Sequence, residues 1–248
     1  MSDTNRFLIE GLLTTVPLSP EMTCSYFSDR VSRYQEFQLD GNFDPSLMTI
    51  LLEKGYRRCG TIYYQTRCPS CRSCRSYRIP VKDFKPTRSQ KRVLKRNQDV
   101  VIQFVEPQSS PEKEDLYLRY QASQHGDCEQ QGRDNLLSNM YFQMYTNPPE
   151  TRELEMRLDG KLIGFGTVDC TPEVASAVYF AFDPDYRDRS LGTLAILRSI
   201  QWAKETGLDY YYLGYYISEH KKMVYKDRYR PAEILSGDHE TFESINHE

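Results

Sequence analysis

The sequence has no apolar run of the roughly 18 or more residues that a membrane helix needs. Its first residues, MSDTNRFLIE, lack the basic and apolar segments of an export signal. Histidine is scarce, with four residues, and no Ser/His/Asp or Cys/His catalytic signature, repeat or low-complexity tract is present. Aromatic residues, at 12%, are too frequent for a disordered chain. We therefore expect a soluble protein of the cytoplasm.

The length of 248 residues suits one large or two modest domains, at about 100 to 200 residues each. A polar stretch with two prolines, EPQSSPEKE, begins at residue 106 and is typical of a linker. We therefore predict an N-terminal cysteine-rich basic domain over residues 1–106, a second domain over residues 112–235 and a polar tail over residues 236–248.

The net charge of −3 hides a strong asymmetry. Between Lys54 and Arg96 lie 14 Lys or Arg and a single acid, Asp83, which gives +13, while the rest of the chain carries −16. Such a segment can attract a polyanion in a salt-dependent way. The alternative is an ordinary solvated surface. The cysteines and aromatics within the segment favour the first interpretation.

An odd number of cysteines, seven, in a chain without an export signal indicates reduced thiols. Cys68, Cys71 and Cys74 form a C-x-x-C-x-x-C pattern, and Cys24 lies upstream. Four thiolates suit zinc or an iron–sulfur cluster, and the arginines around them would offset their charge. The alternative is a set of unliganded or redox-active thiols. Three isolated cysteines are expected to be small apolar fillers: Cys59, Cys128 and Cys170.

The hydrophobic periodicity predicts a small mixed first half and a more regular second half. We expect a helix over residues 44–54, strands over 60–65, 77–81 and 100–105, and helices over 111–123 and 135–145. The second half continues with strands over 152–158, 161–169 and 174–182, a helix over 190–206 and a strand over 209–216. The dipeptide Asp159-Gly160 is a strong hairpin signal between the first two of these strands.

Three antiparallel strands, a helix and another strand are the core order of N-acetyltransferase-like (GNAT-like) acyltransferase domains. The turn into the helix, Arg189-Ser-Leu-Gly192-Thr-Leu194, lacks the last small residue of an acyl-CoA pyrophosphate turn. We therefore expect acyl transfer without coenzyme A. The predicted fold class is α+β, with an N-terminal cysteine-containing metal or cluster lobe and a C-terminal GNAT-like acyltransferase domain built on a mainly antiparallel sheet.

As a whole, the sequence resembles the bacterial aminoacyl-tRNA protein transferases, relatives of eukaryotic arginyl-tRNA protein transferase that are called aspartate/glutamate leucyltransferases. The resemblance runs in order from about residue 24 to 231. It rests on these pieces: Cys24-Ser-Tyr26, GYRRCGTIYYQ, the C-x-x-C-x-x-C set, RIPVKDFKPTRSQKR, Ser176-Ala-Val-Tyr179, Ser190-Leu-Gly-Thr193, Tyr212-Leu-Gly-Tyr215 and Met223-Val-Tyr225-Lys226.

The resemblance implies transfer of leucine from leucyl-tRNA to the N-terminal amine of proteins that begin with Asp or Glu, which marks those proteins for degradation. An aminoacyl ester is already activated, and a protein α-amine has a pKa of about 7.7 to 8.0. The enzyme must therefore align amine and ester, stabilise an oxyanion and remove one proton. We expect Tyr179, Tyr215 and Lys226 in the catalytic site; for the tyrosines, the alternative is a core position with a satisfied hydroxyl.

An acidic acceptor residue calls for a cation in its pocket. The candidate substrate-binding residues are Arg78, Arg88, Arg119, Ser190, Gly192 and Arg228, besides Lys226 and Arg189; Lys226 and Arg228 are favoured because they follow the last core strand. The basic run that begins at Ser89 is expected to bind tRNA phosphates through Gln90, Lys91, Arg92, Lys95 and Arg96. The metal candidates are Cys24, Cys68, Cys71 and Cys74.

Three other functions remain open from the sequence. The transferred amino acid can be arginine instead of leucine, since the sequence does not locate the amino-acid pocket. The strand and helix order also suits an acyl-CoA N-acyltransferase. Finally, the cysteines and the basic segment suit a zinc-stabilised nucleic-acid-binding module without catalysis, although that leaves the second half of the chain unexplained.

Overall fold

The computed structural model describes residues 3–41, 43–125, 132–146, 148 and 150–245. Cys128 lies outside the described residues. Within the described part of the chain, no helix is both long and apolar enough to cross a membrane.

Strands and helices alternate along the whole chain. The strands are Met22–Thr23 (β1), Val31–Ser32 (β2), Tyr34–Gln38 (β3), Arg57–Cys59 (β4), Ile62–Thr66 (β5), Arg75–Pro80 (β6), Val101–Val105 (β7), Thr151–Leu158 (β8), Lys161–Cys170 (β9), Val174–Phe182 (β10), Tyr210–Tyr216 (β11), Ala232–Leu235 (β12) and Phe242–Ile245 (β13). The α-helices are Asp3–Thr15 (α1), Pro45–Glu53 (α2), Arg88–Arg96 (α3), Pro111–His125 (α4), Arg133–Tyr145 (α5) and Leu191–Glu205 (α6), and 3₁₀ helices span Pro184–Arg189 and Val224–Arg228.

A large sheet forms the centre of the molecule. Its eight strands lie in the order β13-β12-β6-β11-β10-β9-β8-β7. Neighbours are antiparallel except β10 and β11, which are parallel. The mixed α+β class and the mainly antiparallel sheet are therefore confirmed.

Local sequence explains where these elements begin and turn. The β8–β9 hairpin turns at Asp159 and Gly160, which both have a positive φ, at 50° and 84°. Asn-Gly and Asp-Gly pairs favour this conformation, so the hairpin prediction is confirmed. Helix α3 begins with a capping box, in which the side chains of Thr87 and Gln90 each accept from the other's backbone N–H.

Helices cover both faces of the sheet. Consecutive residues of a strand face opposite sides, and β9 illustrates this with two buried residues. Leu162 packs with Leu116 of α4 and Met140 of α5. Ile163 packs with Leu194 of α6. The helices therefore bury the apolar residues of both faces.

A smaller sheet, of order β3-β5-β4, is tied to the large one by a buried ion pair. The guanidinium of Arg58 on β4 holds the carboxylate of Asp169 on β9 through two bonds of 2.6 Å, from Nε and Nη2. Thr151 also donates to Asp169, over 2.8 Å. The side chains of the pair are 1% and 2% exposed. Because both charges are desolvated, the pair fixes where β4 meets the large sheet.

The predicted boundary near residue 106 does not separate two sheets. Strands β6 and β7 precede it, yet both belong to the same sheet as β8–β13, because β6 pairs with β11 and β7 pairs with β8. The polar tail predicted over residues 236–248 is wrong in part, since residues 242–245 form β13 and pair with β12. Most other predicted elements match observed ones within a few residues, but α1, α3, β1–β4 and β12 were not predicted.

We predict that Asp169→Asn destabilises the fold by about 3–5 kcal/mol, because it leaves Arg58 buried without its counter-charge. The midpoint of urea unfolding would measure the loss. Asp209→Asn is the matched control, because its partner Lys82 is 70% exposed and Asp209 is 51% exposed. The control should unfold near the wild-type midpoint, and an equal shift in both variants would contradict the role of the buried pair.

Candidate active site

A cavity of about 1170 Å³ lies where β10 and β11 separate. The two strands are paired only at their beginnings, from Val174 with Tyr210 to Ser176 with Tyr212. Beyond this point β10 stays with β9 and β11 stays with β6, and each has an irregular register there. The separated halves of the strands, the beginning of α6 and the beginning of α3 line the space between them.

Gly214 lies at the irregularity of β11 and has a φ of +84°. A side chain there would be strained, and its Cβ would lie 3.3 Å from Nη2 of Arg57. Glycine at this position therefore allows the irregular register of β11 and leaves room for the guanidinium of Arg57 close to the backbone.

Lys226, one of the predicted catalytic residues, lies at this cavity and is 4% exposed. Its Nζ donates to the carbonyl of Tyr215 and lies 3.8 Å from Sδ of Met223. Burial, and secondly the positive charge of Arg57, lower the pKa of Lys226 to about 7. The amine is therefore partly neutral near pH 7 and can accept a proton.

The two predicted tyrosines differ in what their hydroxyls do. Tyr179 lines the cavity and accepts a hydrogen bond of 2.7 Å from Gln121. Burial raises the pKa of Tyr179, so its own proton stays on the oxygen. The hydroxyl of Tyr215 donates to the carbonyl of Gly55 over 3.1 Å, and its pKa is also raised by burial. The hydroxyl of Tyr215 is therefore already used in a hydrogen bond within the fold.

The predicted cations do not all reach the cavity. Arg78 pairs with Glu233 at 2.6 Å and lies over the rings of Tyr210 and Phe242. Arg119 pairs with Asp183 at 2.6 Å. Neither arginine lines the cavity, and Arg88 is exposed on α3 and does not line it either.

Arg228, Ser190 and Gly192 do line the cavity. Arg228 is exposed, and its carbonyl accepts a 2.8 Å hydrogen bond from Gln90. Ser190 adopts a left-handed conformation immediately before α6, with φ at 57°. The turn before α6, which contains the candidate substrate-binding residues Ser190 and Gly192, thus borders the cavity. Arg189 instead pairs with Asp99 at 2.9 Å.

Helix α3 places the predicted tRNA-binding residues beside the cavity. Thr87, Ser89 and the buried Gln90 line it. Four basic side chains that follow are exposed: Lys91, Arg92, Lys95 and Arg96. Arg96 donates to the carbonyl of Asp188, and among the described residues the first three have no ion-pair partner.

The four predicted metal ligands come from two segments that contact each other. One segment holds Cys24 and Arg30, and the other holds Cys68, Cys71 and Cys74. Nη1 of Arg30 lies 3.7 Å from Sγ of Cys71. Burial raises the pKa of Cys74 to about 12, with smaller contributions from the charges of Cys68, Cys24 and Cys71. In the described part of the chain, however, no group of three or more His, Cys, Asp or Glu side chains is arranged to hold a metal ion.

Cys59 and Cys170 are partly buried, and burial raises the pKa of both thiols. Neither lies in the segments that hold Cys24 and Cys71. Both fit the role of small apolar side chains that the sequence predicts.

One functional candidate was not predicted. Arg57 on β4 lines the cavity and is 9% exposed. Its Nη1 donates to Oγ of Ser176 over 2.6 Å, and its Nη2 donates to the carbonyl of Ala177. The signal in the sequence is the pair Arg57-Arg58 within a short strand, because consecutive strand residues face opposite sides and two buried arginines must then find separate partners.

Two family models match the chain. The N-terminal model of arginine-tRNA-protein transferase matches residues 22–92, and the C-terminal model matches residues 112–236. An aspartate/glutamate leucyltransferase of Leptospira interrogans is 40% identical over 227 residues, which cover 91% of this chain and 88% of that protein. One of Aeromonas hydrophila is 38% identical over 92% of this chain and 94% of that protein.

Among solved structures, a tandem GNAT protein from the clavulanic acid biosynthesis pathway aligns with a TM-score of 0.37 at 10% identity, over 78% of this chain and 58% of that one. This likeness is too low to carry an argument. The two family models and the relatives at 38–40% identity, in contrast, establish the family. The chain belongs to the arginine-tRNA-protein transferase family, within its aspartate/glutamate leucyltransferases.

Proposed function

We propose that the protein transfers leucine from leucyl-tRNA to the N-terminal amine of proteins that begin with Asp or Glu. The observation that carries this proposal is the 40% identity with an aspartate/glutamate leucyltransferase over 91% of the chain. The protein is an aminoacyltransferase. The product begins with leucine, a change of N-terminus that marks the acceptor for degradation, and we place the reaction in the cytoplasm, where charged tRNA is found.

The cavity suits an unpaired RNA end that carries an amino acid. It extends from the basic helix α3 to the separated ends of β10 and β11, and aromatic side chains such as Tyr120, Tyr179 and Tyr225 line it. Aromatic rings stack on single-stranded bases, and exposed cations bind the phosphates. The strand order and the separation of β10 from β11 also support a GNAT-like acyltransferase domain, with the aminoacyl ester in place of an acyl-CoA.

The reaction needs one new bond and one proton transfer at the amine. The acceptor nitrogen attacks the ester carbonyl carbon, the carbonyl oxygen becomes negative, and the carbon–oxygen bond to the ribose then breaks. The nitrogen loses a proton, and the ribose oxygen gains one as it leaves. Because the ester is activated, alignment and charge stabilisation supply most of the rate.

Lys226 is the general base in this proposal. Its neutral form, populated near pH 7 because its pKa is about 7, accepts the proton that the attacking nitrogen loses. A buried lysine with this pKa is a poor partner for an acidic side chain. The carboxylate-binding role expected for Lys226 from the sequence therefore gives way to a role in proton transfer.

Tyr179 is the candidate that stabilises the oxyanion. Its oxygen accepts from Gln121, so its own proton can be donated toward the cavity. Tyr215 supports the site in a different way, because its carbonyl accepts the hydrogen bond from Lys226. We therefore assign Tyr215 a positioning role.

The basic residues of α3 bind the tRNA backbone in this account. Lys91, Arg92 and Lys95 are exposed beside the cavity, so they can reach phosphates near the RNA end. Gln90 is buried and forms the capping box of α3, so its part is to hold the helix in place.

We keep as a proposal that Cys24, Cys68, Cys71 and Cys74 bind zinc or an iron–sulfur cluster. The contact between their two segments and their four thiols support it, since thiolates are the preferred ligands of both. With the side chains placed as described, the thiols would have to move closer together to share one ion. No step of the transfer reaction depends on this group.

The proposed function is tested with tRNAs charged with different amino acids, each incubated with a peptide that begins with Asp. We expect transfer from leucyl-tRNA and little from arginyl-tRNA, and none from acetyl-CoA, measured as labelled peptide by mass spectrometry. Transfer from arginyl-tRNA alone would correct the donor, while transfer from acetyl-CoA would make the protein an acyl-CoA enzyme.

We predict that Lys226→Met lowers kcat by about 10²- to 10⁴-fold, the usual contribution of a general base. In the wild type, kcat should rise with pH through about 7, because the amine of Lys226 is protonated and inactive below that pH and neutral above it. The variant should lose the rise near pH 7 and keep only the later one, which follows the acceptor's own α-amine with its pKa of about 7.7 to 8.0. Lys221→Met changes an exposed lysine close by and should keep both kcat and the rise. An unchanged pH profile in Lys226→Met would remove Lys226 from proton transfer.

For the cysteines, we predict that Cys71→Ser lowers the zinc or iron content of the purified protein, measured by elemental analysis. Cys59→Ser is the matched control, and it should keep the wild-type content. If the wild type carries no metal, or if Cys71→Ser carries as much as the wild type, the metal proposal is wrong and the thiols are unliganded.

A further inference from the structure

A buried guanidinium, that of Arg57, lies in the wall of the cavity. Arg57 is 9% exposed, and its hydrogen bonds go to the hydroxyl of Ser176 and the carbonyl of Ala177. Both of these partners are neutral. Across the described ranges, no carboxylate forms an ion pair with Arg57. The described part of the chain therefore leaves this charge uncompensated.

Other cations nearby that are buried or partly buried either pair with an acidic side chain or can lose their charge. Arg58, the next residue, holds Asp169, and Arg78 holds Glu233. Lys226 can lose its proton. Arg57 cannot, because a guanidinium stays charged at every pH that proteins survive. Since an isolated buried charge is costly, the environment of Arg57 fits a state in which an anion enters the cavity and pairs with it.

Three anions occur in the proposed reaction: the phosphates of the RNA, the oxyanion of the intermediate and the side-chain carboxylate of the acceptor. In the proposed function, the phosphates are bound outside the cavity by cations of α3 such as Lys91 and Arg92, which are exposed. The oxyanion exists only transiently. The carboxylate is permanent at neutral pH, and its two oxygens match the planar fork of a guanidinium. The carboxylate is therefore the best match for Arg57.

The position of Arg57 beside Lys226 supports the same choice. The guanidinium lies against Gly214, and Lys226 donates to the carbonyl of Tyr215, the next residue of β11. In an N-terminal Asp or Glu, only a few covalent bonds separate the carboxylate from the α-amine. A carboxylate held by Arg57 thus leaves the amine within the part of the cavity that Lys226 borders.

We propose that Arg57 binds the side-chain carboxylate of the acceptor's N-terminal Asp or Glu and thereby sets the preference for acidic N-termini. This inference rests on the proposed leucyl transfer. Arg57 replaces the exposed Arg228 as the main specificity residue, because a desolvated guanidinium discriminates between a charged and a neutral side chain more strongly than one in water does.

The test compares peptides that begin with Asp or with Asn, which differ in charge and hardly in shape. With leucyl-tRNA as donor, kcat/KM is measured for both peptides in the wild type, Arg57→Gln and Arg228→Gln. We expect Arg57→Gln to lose on the order of 10²-fold with the Asp peptide, because removing one partner of a buried charge pair has effects of this size. The Asn peptide should lose far less, so the preference for Asp over Asn collapses. Arg228→Gln should keep most of that preference.

Several results would overturn the inference. Equal losses with both peptides would assign Arg57 to the oxyanion, to RNA binding or to the fold, and a collapse of the preference in Arg228→Gln alone would assign the carboxylate to Arg228. If Arg57→Gln does not fold, Arg57→Lys keeps a cation but loses the fork, and it should reduce the preference severalfold; an unchanged preference would again contradict the inference. Failure of the wild type to transfer leucine to the Asp peptide would instead refute the proposed function itself.

Discussion

The bidentate ion pair between Arg58 and Asp169 ties the small sheet to the large one. Asp169 belongs to β9 in the large sheet, and Arg58 comes from β4 in the small one. With both side chains out of water, the pair tolerates little change in the position of β4. Because consecutive strand residues face opposite ways, fixing Arg58 also fixes Arg57 on the other side, where it lines the cavity.

The cavity itself is a consequence of how two parallel strands part. After Tyr212, β11 continues beside β6, while β10 continues beside β9, and the irregular register at Gly214 helps them separate. Three cations meet their surroundings differently near this gap. Arg58 forms an ion pair with Asp169, and Lys226 has a pKa of about 7. Within the described residues, Arg57 has only neutral hydrogen-bond partners. Arg58 therefore stabilises the fold, whereas Lys226 and Arg57 have the charge states proposed for proton transfer and for carboxylate binding.

Much of the second half of the fold followed from periodicity. The strands β8–β11 and helix α6 have clear alternating or helical patterns, and Asp159-Gly160 specifies the hairpin between two of them. The three-residue strand β4 is too short to show a period. Helix α3 is so basic that its sequence indicates a polyanion partner rather than a helix. The N-terminal helix α1 exposes several apolar residues, such as Phe7, so its pattern is weak.

The candidate site was predictable only in part, because pairing across the sheet decides which cations are free. Lys226 and Tyr179 were found from their positions near the core strands, and both line the cavity. Arg78 and Arg119 looked equally suitable, but long-range partners, Glu233 and Asp183, occupy them. No spacing in the sequence reveals such partners, which lie more than 60 residues away.

We propose that the activated amino acid meets the acidic acceptor in the cavity between β10 and β11. The most direct measurement is a crystal structure with two ligands, a leucyl-adenosine amide that imitates the RNA end and a short peptide that begins with Asp. The account predicts the leucyl carbonyl in this cavity and the peptide carboxylate on Arg57. Density for the adenosine or the carboxylate on another surface, with the cavity empty, would contradict it.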